Sequence, residues 1–331
     1  MPELHNILKA ARKISWDNLG RNITFYLPGM FIYNKHSGKY PAISITGSEC
    51  ALNCDHCQSK ILEPMISATS PALLIEKCCH LAEKGNHGVL ISGGCDENGR
   101  LPWEPFIPAI KEIKEQTDLF ISVHSGLIKG KTAVALKKAG VDQALIDVIG
   151  DDETFKNIYH VDFGISRIHS SMEALHNVNM PIIPHIVCGL HYGEIKGEKK
   201  AVEMISQFDV EQVVIVALMR IPGTPVWNTQ PLKAEAVAEI IAETRFKMPH
   251  AKISLGCARE RGNPLLEILA IDAGINRMAL PSEEAIERAK KYGLQIKYQR
   301  TCCSVTKSFD EEDDRLRNRS VYRVSANPMV A

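Results

Sequence analysis

An excess of either charge is missing from this chain. Lysine plus arginine number 39 and aspartate plus glutamate number 39 among 331 residues, for a formal net charge of zero. So balanced a surface has no general attraction for nucleic acid or an anionic membrane, and neither is expected as a partner. Long apolar runs are missing as well. The opening "MPELHNILKAARKISWDNLG" is amphipathic and polar, which fits neither a secretory leader nor a membrane span. No short repeat or low-complexity tract is present, so a repeat array is not expected. What remains is 45% hydrophobic and 24% charged, the balance of a folded chain with room for one large domain or two ordinary ones.

Cysteine is not scarce: there are ten. Without a secretory signal they point to a reducing, cytoplasmic setting, where clustered thiols serve metal or redox chemistry more often than disulfides. Cys78 and Cys79 lie in "PALLIEKCCHLAEKG", whose apolar spacing is helical, and read as packing residues.

Short β-branched runs alternate with amphipathic stretches along most of the chain. Strands are expected at 42–47, 88–94, 119–126, 143–150, 181–190, 212–220, 252–257 and 277–281. Helices are expected at 103–116, 129–139, 167–178, 196–208 and 231–248. Eight near-continuous apolar strands alternating with helices predict parallel βαβ units, and their natural closure is a (β/α)8 barrel. Reactive groups in such a barrel sit where strands end. The unusual residues fall there: the first cysteines after the first strand, Gly93-Gly94-Cys95 after the second, His124, Asp147, "GLHYG", "RIPGTP" and Cys257 after the later ones. The expected division is a helical extension over 1–38, a barrel over 39–306 and a polar tail over 307–331.

"CALNCDHC" places Cys50, Cys54 and Cys57 within eight residues. Three thiolates can hold three irons of a cubic 4Fe–4S cluster and leave the fourth iron open. Soft thiolates suit zinc equally, with His56 as a fourth ligand, although structural zinc normally draws paired ligands from two separate knuckles.

C-x3-C-x2-C after a first strand, followed by Gly-Gly at the end of the second, resembles the radical S-adenosylmethionine superfamily over roughly residues 40 to 300. The resemblance implies a barrel in which Cys50, Cys54 and Cys57 ligate a 4Fe–4S cluster. Its open iron would chelate S-adenosylmethionine, with Gly93 and Gly94 near the methionine amino group and Gly223 passing the adenine. The family usually has an aromatic residue before the last cysteine; this chain has His56. "FYLPGMFIY", "YPAISITGSECALNCDHC", "LISGGCDENGRLP" and "PHIVCGLHYG" are similar to the biotin-synthase-like branch, and most of all to the archaeal-type lipoyl synthases that work as a two-protein pair.

That branch implies sulfur insertion into an octanoyl chain on a protein lysine, with an auxiliary iron–sulfur cluster as sulfur donor. The implied partners are an octanoylated carrier (a lipoyl domain or a glycine cleavage H-type protein), a paralogous synthase and an electron donor such as ferredoxin. Material for a second cluster exists: Cys257 in "LGCARERG" and adjacent Cys302 and Cys303 in "QRTCCSV". Adjacent cysteines in an extended segment cannot both face one core, which favours ligation. Cys95 is a fourth candidate, whereas Cys188 alternates away from His185 and reads as packing. Ordinary lipoyl synthases instead carry a second cysteine triplet near the N-terminus and end in Arg-Ser-Ser-Tyr. Here no cysteine precedes Cys50, and Arg300-Thr301-Cys302-Cys303-Ser304 stands in the later place. His124, Asp147 and His185 either contact the ribose or carboxylate of the cosubstrate or are buried and hydrogen-bonded. Arg259 and Arg261 either steer an anion or form surface salt bridges. Two other readings stand beside this one: another biotin-synthase-like reaction, such as a radical step in building a metal cofactor, and a zinc-stapled scaffold.

Overall fold

The computed structural model describes residues 2–33 and 36–309. In chain order the strands are Asn22–Tyr26 (β1), Ile32–Tyr33 (β2), His36–Ser37 (β3), Ala42–Ser44 (β4), Ile66–Ser67 (β5), Gly88–Ser92 (β6), Phe120–His124 (β7), Gln143–Asp147 (β8), Ile182–Cys188 (β9), Gln212–Ala217 (β10), Lys252–Leu255 (β11), Arg277–Ala279 (β12) and Gln295–Gln299 (β13). The helices are Pro2–Leu19 (α1), Pro71–Glu83 (α2), Trp103–Gln116 (α3), Gly130–Lys138 (α4), Asp152–Thr154 (α5), Ile165–His176 (α6), Glu198–Ile205 (α7), Ala234–Lys247 (α8), Leu265–Asp272 (α9) and Glu283–Lys291 (α10). No described helix is long and apolar enough to cross a membrane.

Eleven strands form one sheet in the order β13-β1-β12-β11-β10-β9-β8-β7-β6-β4-β5, and β2 pairs with β3 apart from it. Neighbours in the large sheet run parallel, from β4 beside β6 to β12 beside β1. Every position of β10, "QVVIVA", is buried, as a strand covered on both faces requires. Helix starts follow local chemistry: Ser70 accepts from the Leu73 amide ahead of α2, and Ser282 from the Ala285 amide ahead of α10.

The sheet curls. One inner cluster joins Tyr26 of β1 and Ala279 of β12 to Leu145, Ile183, Val214 and Val216, with Leu90 of β6 packed against it. Strands that far apart in the order share side-chain contacts only if the sheet wraps round them. The outer faces pack under the helices in a much larger core. This is the TIM-like parallel barrel expected from the sequence, and the eight expected strands are β4 and β6 to β12 in consecutive order.

The edges differ from expectation. No ladder joins β5 to β13 among the described residues, so the sheet stays open, and three strands join it that the pattern did not reveal. β5 is two residues long, and β13 alternates between exposed and half-buried positions up to a buried glutamine, Gln299, so neither carries an apolar run. The N-terminal segment is not a separate extension. α1 packs on α8 and α9, with Arg12 donating to the Asp272 carbonyl and Ser15 to that of Gly274, and β1 inserts between β12 and β13. Of the expected tail, 310–331 lies outside the described residues. Phe309, by contrast, stacks on His87 with ring centroids 4.6 Å apart.

Candidate functional site

The three-cysteine loop leaves β4 at the C-terminal rim and is built around close backbone contacts. Thr46 accepts from the Gly94 amide at 2.7 Å, the Ala51 amide donates to the Cys95 carbonyl, and the Cys95 amide donates to the Cys50 sulfur at 3.3 Å. A Cβ on Gly94 would stand 1.9 Å from the Glu49 carbonyl oxygen and 2.6 Å from the Cys50 Cβ. Only glycine fits there, for the sake of the cysteine loop itself. The Cys57 and Gln58 amides both donate to the Cys54 carbonyl, and Asn53, Gln58 and Ser59 are left-handed, winding the loop tightly enough to bury Cys54 and Cys57.

The thiols interact. Cys54 donates to Cys57, which holds the Cys57 thiol down at about 4 and pushes that of Cys54 up. Burial opposes protonation of His56, but the Cys57 sulfur, Asp147 and Asp55 outweigh it and raise its pKa. His56 is half-buried, its Nδ1 is buried without a partner, and its ring lies 5.3 Å from that of Tyr159. Three thiols on one loop are the donor type that a thiophilic metal centre uses. Cys95 belongs with this set: burial and then Cys50 raise its thiol to about 12. Beside Cys50, a cavity of about 630 Å³ opens between the loops after β4, β6 and β7, walled by Leu101, Trp103 and Ile128, with Arg100 and Lys129 also lining it.

Deeper in the barrel, His124 and Asp147 end adjacent strands and form an ion pair at 3.5 Å. Burial alone would raise the Asp147 carboxyl; His124, then His185 and His56, overcome it and hold it at about 2. Burial likewise lowers His124, but Asp147 reverses the shift and raises it. His185, paired with Asp147 across β8 and β9, is held by burial at about 4 and donates from Nδ1 to the Ile183 carbonyl at 3.0 Å. In the neutral ring that bond leaves the free lone pair on Nε2. The structure thus brings together His124 and Asp147 at their strand ends with His185, which lies in the middle of β9 rather than at its end. Gly223 is left-handed, and the preceding Pro222 carbonyl accepts from Lys60 Nζ, tying the β10 loop to the cysteine loop.

Cys257 follows β11, while Cys302 and Cys303 enter from the opposite end. Residues 303–306 cross the barrel floor, held by the first residues of alternate strands. Gln143 donates to the Ser304 carbonyl at 3.0 Å, Gln212 to that of Cys303 at 2.7 Å, and Arg277 to that of Val305 at 2.6 Å. Sequence reasoning missed these latches, whose only signal was a polar residue opening each of three apolar strands. Alternation does not separate the adjacent cysteines as expected. The Val305 amide closes a turn on the Cys302 carbonyl, and both sulfurs pack against the inner cluster with Cys257. A hydrogen bond from Cys303, aided by Ser304 at 3.1 Å, lowers the Cys302 thiol to about 6, and burial and then Cys302 raise Cys257 to about 11. Gln212 Oε1 and Thr301 Oγ1 are buried there without partners, while Ser254 lies against the Cys303 thiol. Three thiols and these polar atoms thus share one part of the barrel interior. Among the described residues, no group of three or more histidine, cysteine, aspartate or glutamate side chains stands ready-assembled to hold a metal ion. Cys95 is not one of these three thiols, because the end of β6 puts it beside Cys50. Cys188 is buried in the outer core, as its alternation with His185 requires. Arg259 is no surface residue: fully buried, it pairs with Glu267 at 2.7 Å, while Arg261 donates to the Cys257 carbonyl.

Comparison with known proteins matches these features. Residues 44–205 match the Radical SAM superfamily model and residues 215–315 the Biotin and Thiamin Synthesis associated domain. Biotin synthase of Rickettsia felis is 27% identical over 70% of this chain and 76% of its own length; that of Geotalea uraniireducens is 26% identical over 66% and 68%. Among solved structures, methylornithine synthase superposes with a TM-score of 0.63 at 16% identity, covering 89% of both chains. An FeFe-hydrogenase maturase from Carboxydothermus hydrogenoformans superposes with a TM-score of 0.61 at 16% identity, over 88% of this chain and 71% of its own. With two family models in tandem and a cysteine loop in place at the barrel rim, this chain is a biotin-synthase-like member of the radical S-adenosylmethionine superfamily.

Proposed function

We propose that this chain inserts sulfur into an octanoyl group carried on a protein lysine, as one component of a two-protein lipoyl synthase. The observation that carries this reading is the second set of thiols, Cys257, Cys302 and Cys303, gathered inside the same barrel whose rim bears Cys50, Cys54 and Cys57. A reaction needing only a radical has no use for them; sulfur insertion does.

Cys50, Cys54 and Cys57 would hold a 4Fe–4S cluster, and Cys257, Cys302 and Cys303 an auxiliary iron–sulfur cluster as sulfur source. When bound, the first cluster and S-adenosylmethionine supply a 5′-deoxyadenosyl radical able to take hydrogen from an unactivated carbon. The chain's own residues do the rest. Gly94 lets the cysteine loop close on the end of β6. The carboxylate of Asp147, kept ionised between His124 and His185, offers a fixed charge for the polar end of the cosubstrate. Leu145, Ile183, Val214 and Val216 form an apolar wall that accepts an acyl chain and excludes water. The carrier would be a lipoyl domain or an H-type protein, with a paralogous synthase adding the other sulfur and a ferredoxin-like donor supplying electrons. Another biotin-synthase-like radical reaction is the second reading, supported by the breadth of the superfamily likeness.

The test is direct. Anaerobically reconstituted protein is given an octanoyl-lysyl peptide, S-adenosylmethionine and dithionite, with and without the paralogous synthase. One added sulfur on the octanoyl or mono-thiolated peptide, alongside 5′-deoxyadenosine, is expected by mass spectrometry. Normal cosubstrate cleavage with no sulfur gain under any condition sinks the lipoyl reading.

A further inference from the structure

Between the second and third cysteines lies a residue whose carboxylate is bonded to two other loops. Asp55 is bonded on three sides. Its Oδ1 meets His160 Nε2 at 2.7 Å, its Oδ2 accepts from the Tyr192 hydroxyl at 2.7 Å, and its amide donates to the Ile158 carbonyl at 2.9 Å. His160 follows β8 and Tyr192 follows β9, so one side chain fastens the cysteine loop to two other rim loops. The Tyr192 hydroxyl also lies 3.0 Å from the Asn157 carbonyl, which ties those two loops to each other.

The backbone is bent to make these bonds. Residues Phe155–Tyr159 form a π-helical turn, a feature that recurs at functional sites. The turn sets three consecutive residues on the cysteine loop: the Ile158 carbonyl on the Asp55 amide, the Tyr159 ring against His56, and His160 on the Asp55 carboxylate. His160 and Tyr192 are both left-handed, with φ of 56° and 51°, as are Asn53, Gln58 and Ser59 beside them. Non-glycine residues adopt that conformation at a cost, and it persists where surrounding contacts demand it. The Asp55 side chain is only 13% exposed although it lies on an outer loop. A carboxylate desolvated to that degree and bonded to two side chains from separate loops acts as a fastener rather than a solvated surface charge.

We propose that Asp55 is the positioning residue for the first cluster, setting through His160 and Tyr192 where Cys54 and Cys57 stand relative to β8 and β9. The end of β8 carries Asp147, so the fastener also fixes the cysteine loop against the polar group deepest in the barrel mouth. Groups that orient metal ligands typically affect metal affinity about 10–100-fold when removed.

The full chain, reconstituted anaerobically, is compared with Asp55→Ala, Tyr192→Phe and the double variant. Tyr192→Phe removes one hydroxyl from a partly exposed ring, so its folding is not at risk. Iron content at saturation should be unchanged. Iron loss to a chelator should be about tenfold or more faster in each single variant, and the electron paramagnetic resonance signal of the reduced cluster should change. The double variant should lose iron no faster than Asp55→Ala, because both substitutions open the same bond. These readouts need no acyl substrate and stand apart from the octanoyl reading. Unchanged chelation rate and signal in Asp55→Ala overturn the proposal, as do fully additive effects in the double variant.

Discussion

Arg277, the first residue of β12, donates through Nη1 to the Val305 carbonyl at 2.6 Å and carries the end of the described chain into the barrel floor. The guanidinium is buried, and its second arm reaches the Thr306 carbonyl. Together with Gln143 and Gln212 it decides where Cys302 and Cys303 stand.

Replacing Arg277 with methionine should therefore lower stability by about 1.5–3 kcal/mol, the usual worth of a hydrogen bond to a charged group. Gln212→Leu should cost about 1 kcal/mol. In both variants Cys303, now fully buried, should be alkylated faster in the metal-free protein. Denaturant titration and peptide mass spectrometry measure the two effects; unchanged labelling of Cys303 would argue that the floor is held by something else.

Removing the first cysteine set tests whether two metal centres exist. Reconstituted protein should hold about eight irons if both are 4Fe–4S clusters. The Cys50→Ala, Cys54→Ala, Cys57→Ala variant should hold about half and release no 5′-deoxyadenosine with dithionite. Iron at background in that variant would remove Cys257, Cys302 and Cys303 as cluster ligands.

Two histidines shifted in opposite directions should each shape one side of the dependence of stability on pH. His185 is held at about 4 when folded and takes a proton more readily when unfolded, so its contribution is complete above 6.5 and is lost as pH falls toward 4. His124 is raised by Asp147, so its contribution is complete below 6.5 and is lost as pH rises through its folded value. Urea midpoints across pH should show His185→Asn flattening the acid limb and His124→Asn the alkaline limb. A pair of variants that only shifted the whole curve would contradict the assignment.

Gly94→Ala should be severe although it adds one methyl group. The Cβ overlaps the Glu49 carbonyl and Cys50, so the loop must move, at about 1–3 kcal/mol or more. Gly130→Ala is the control: nothing lies within 4 Å of its Cβ position at the start of α4, and the change should be neutral or stabilising by about 0.4–1 kcal/mol. Melting curves and bound iron compare them, and a Gly94→Ala protein with full iron would show that the contact yields cheaply.

Much of this was legible without coordinates because it is local. Runs such as "QVVIVA" declare a strand covered on both faces, and the spacing of Cys50, Cys54 and Cys57 puts three thiols on one loop, since both depend on neighbours in the chain. Cys188 could be assigned to the outer core from alternation with His185 alone. Contacts across the barrel left no such trace. β13 carries no apolar run and is held by its pairing with β1, which lies some 270 residues earlier. Cys302 and Cys303 pack against one inner cluster because a turn and three latches from distant strands put them there, where local alternation argued for opposite sides. Asp55 reads in sequence as a polar loop residue between two ligands. Its partners lie 105 and 137 positions away, and only the folded barrel brings three rim loops close enough for one carboxylate to join them.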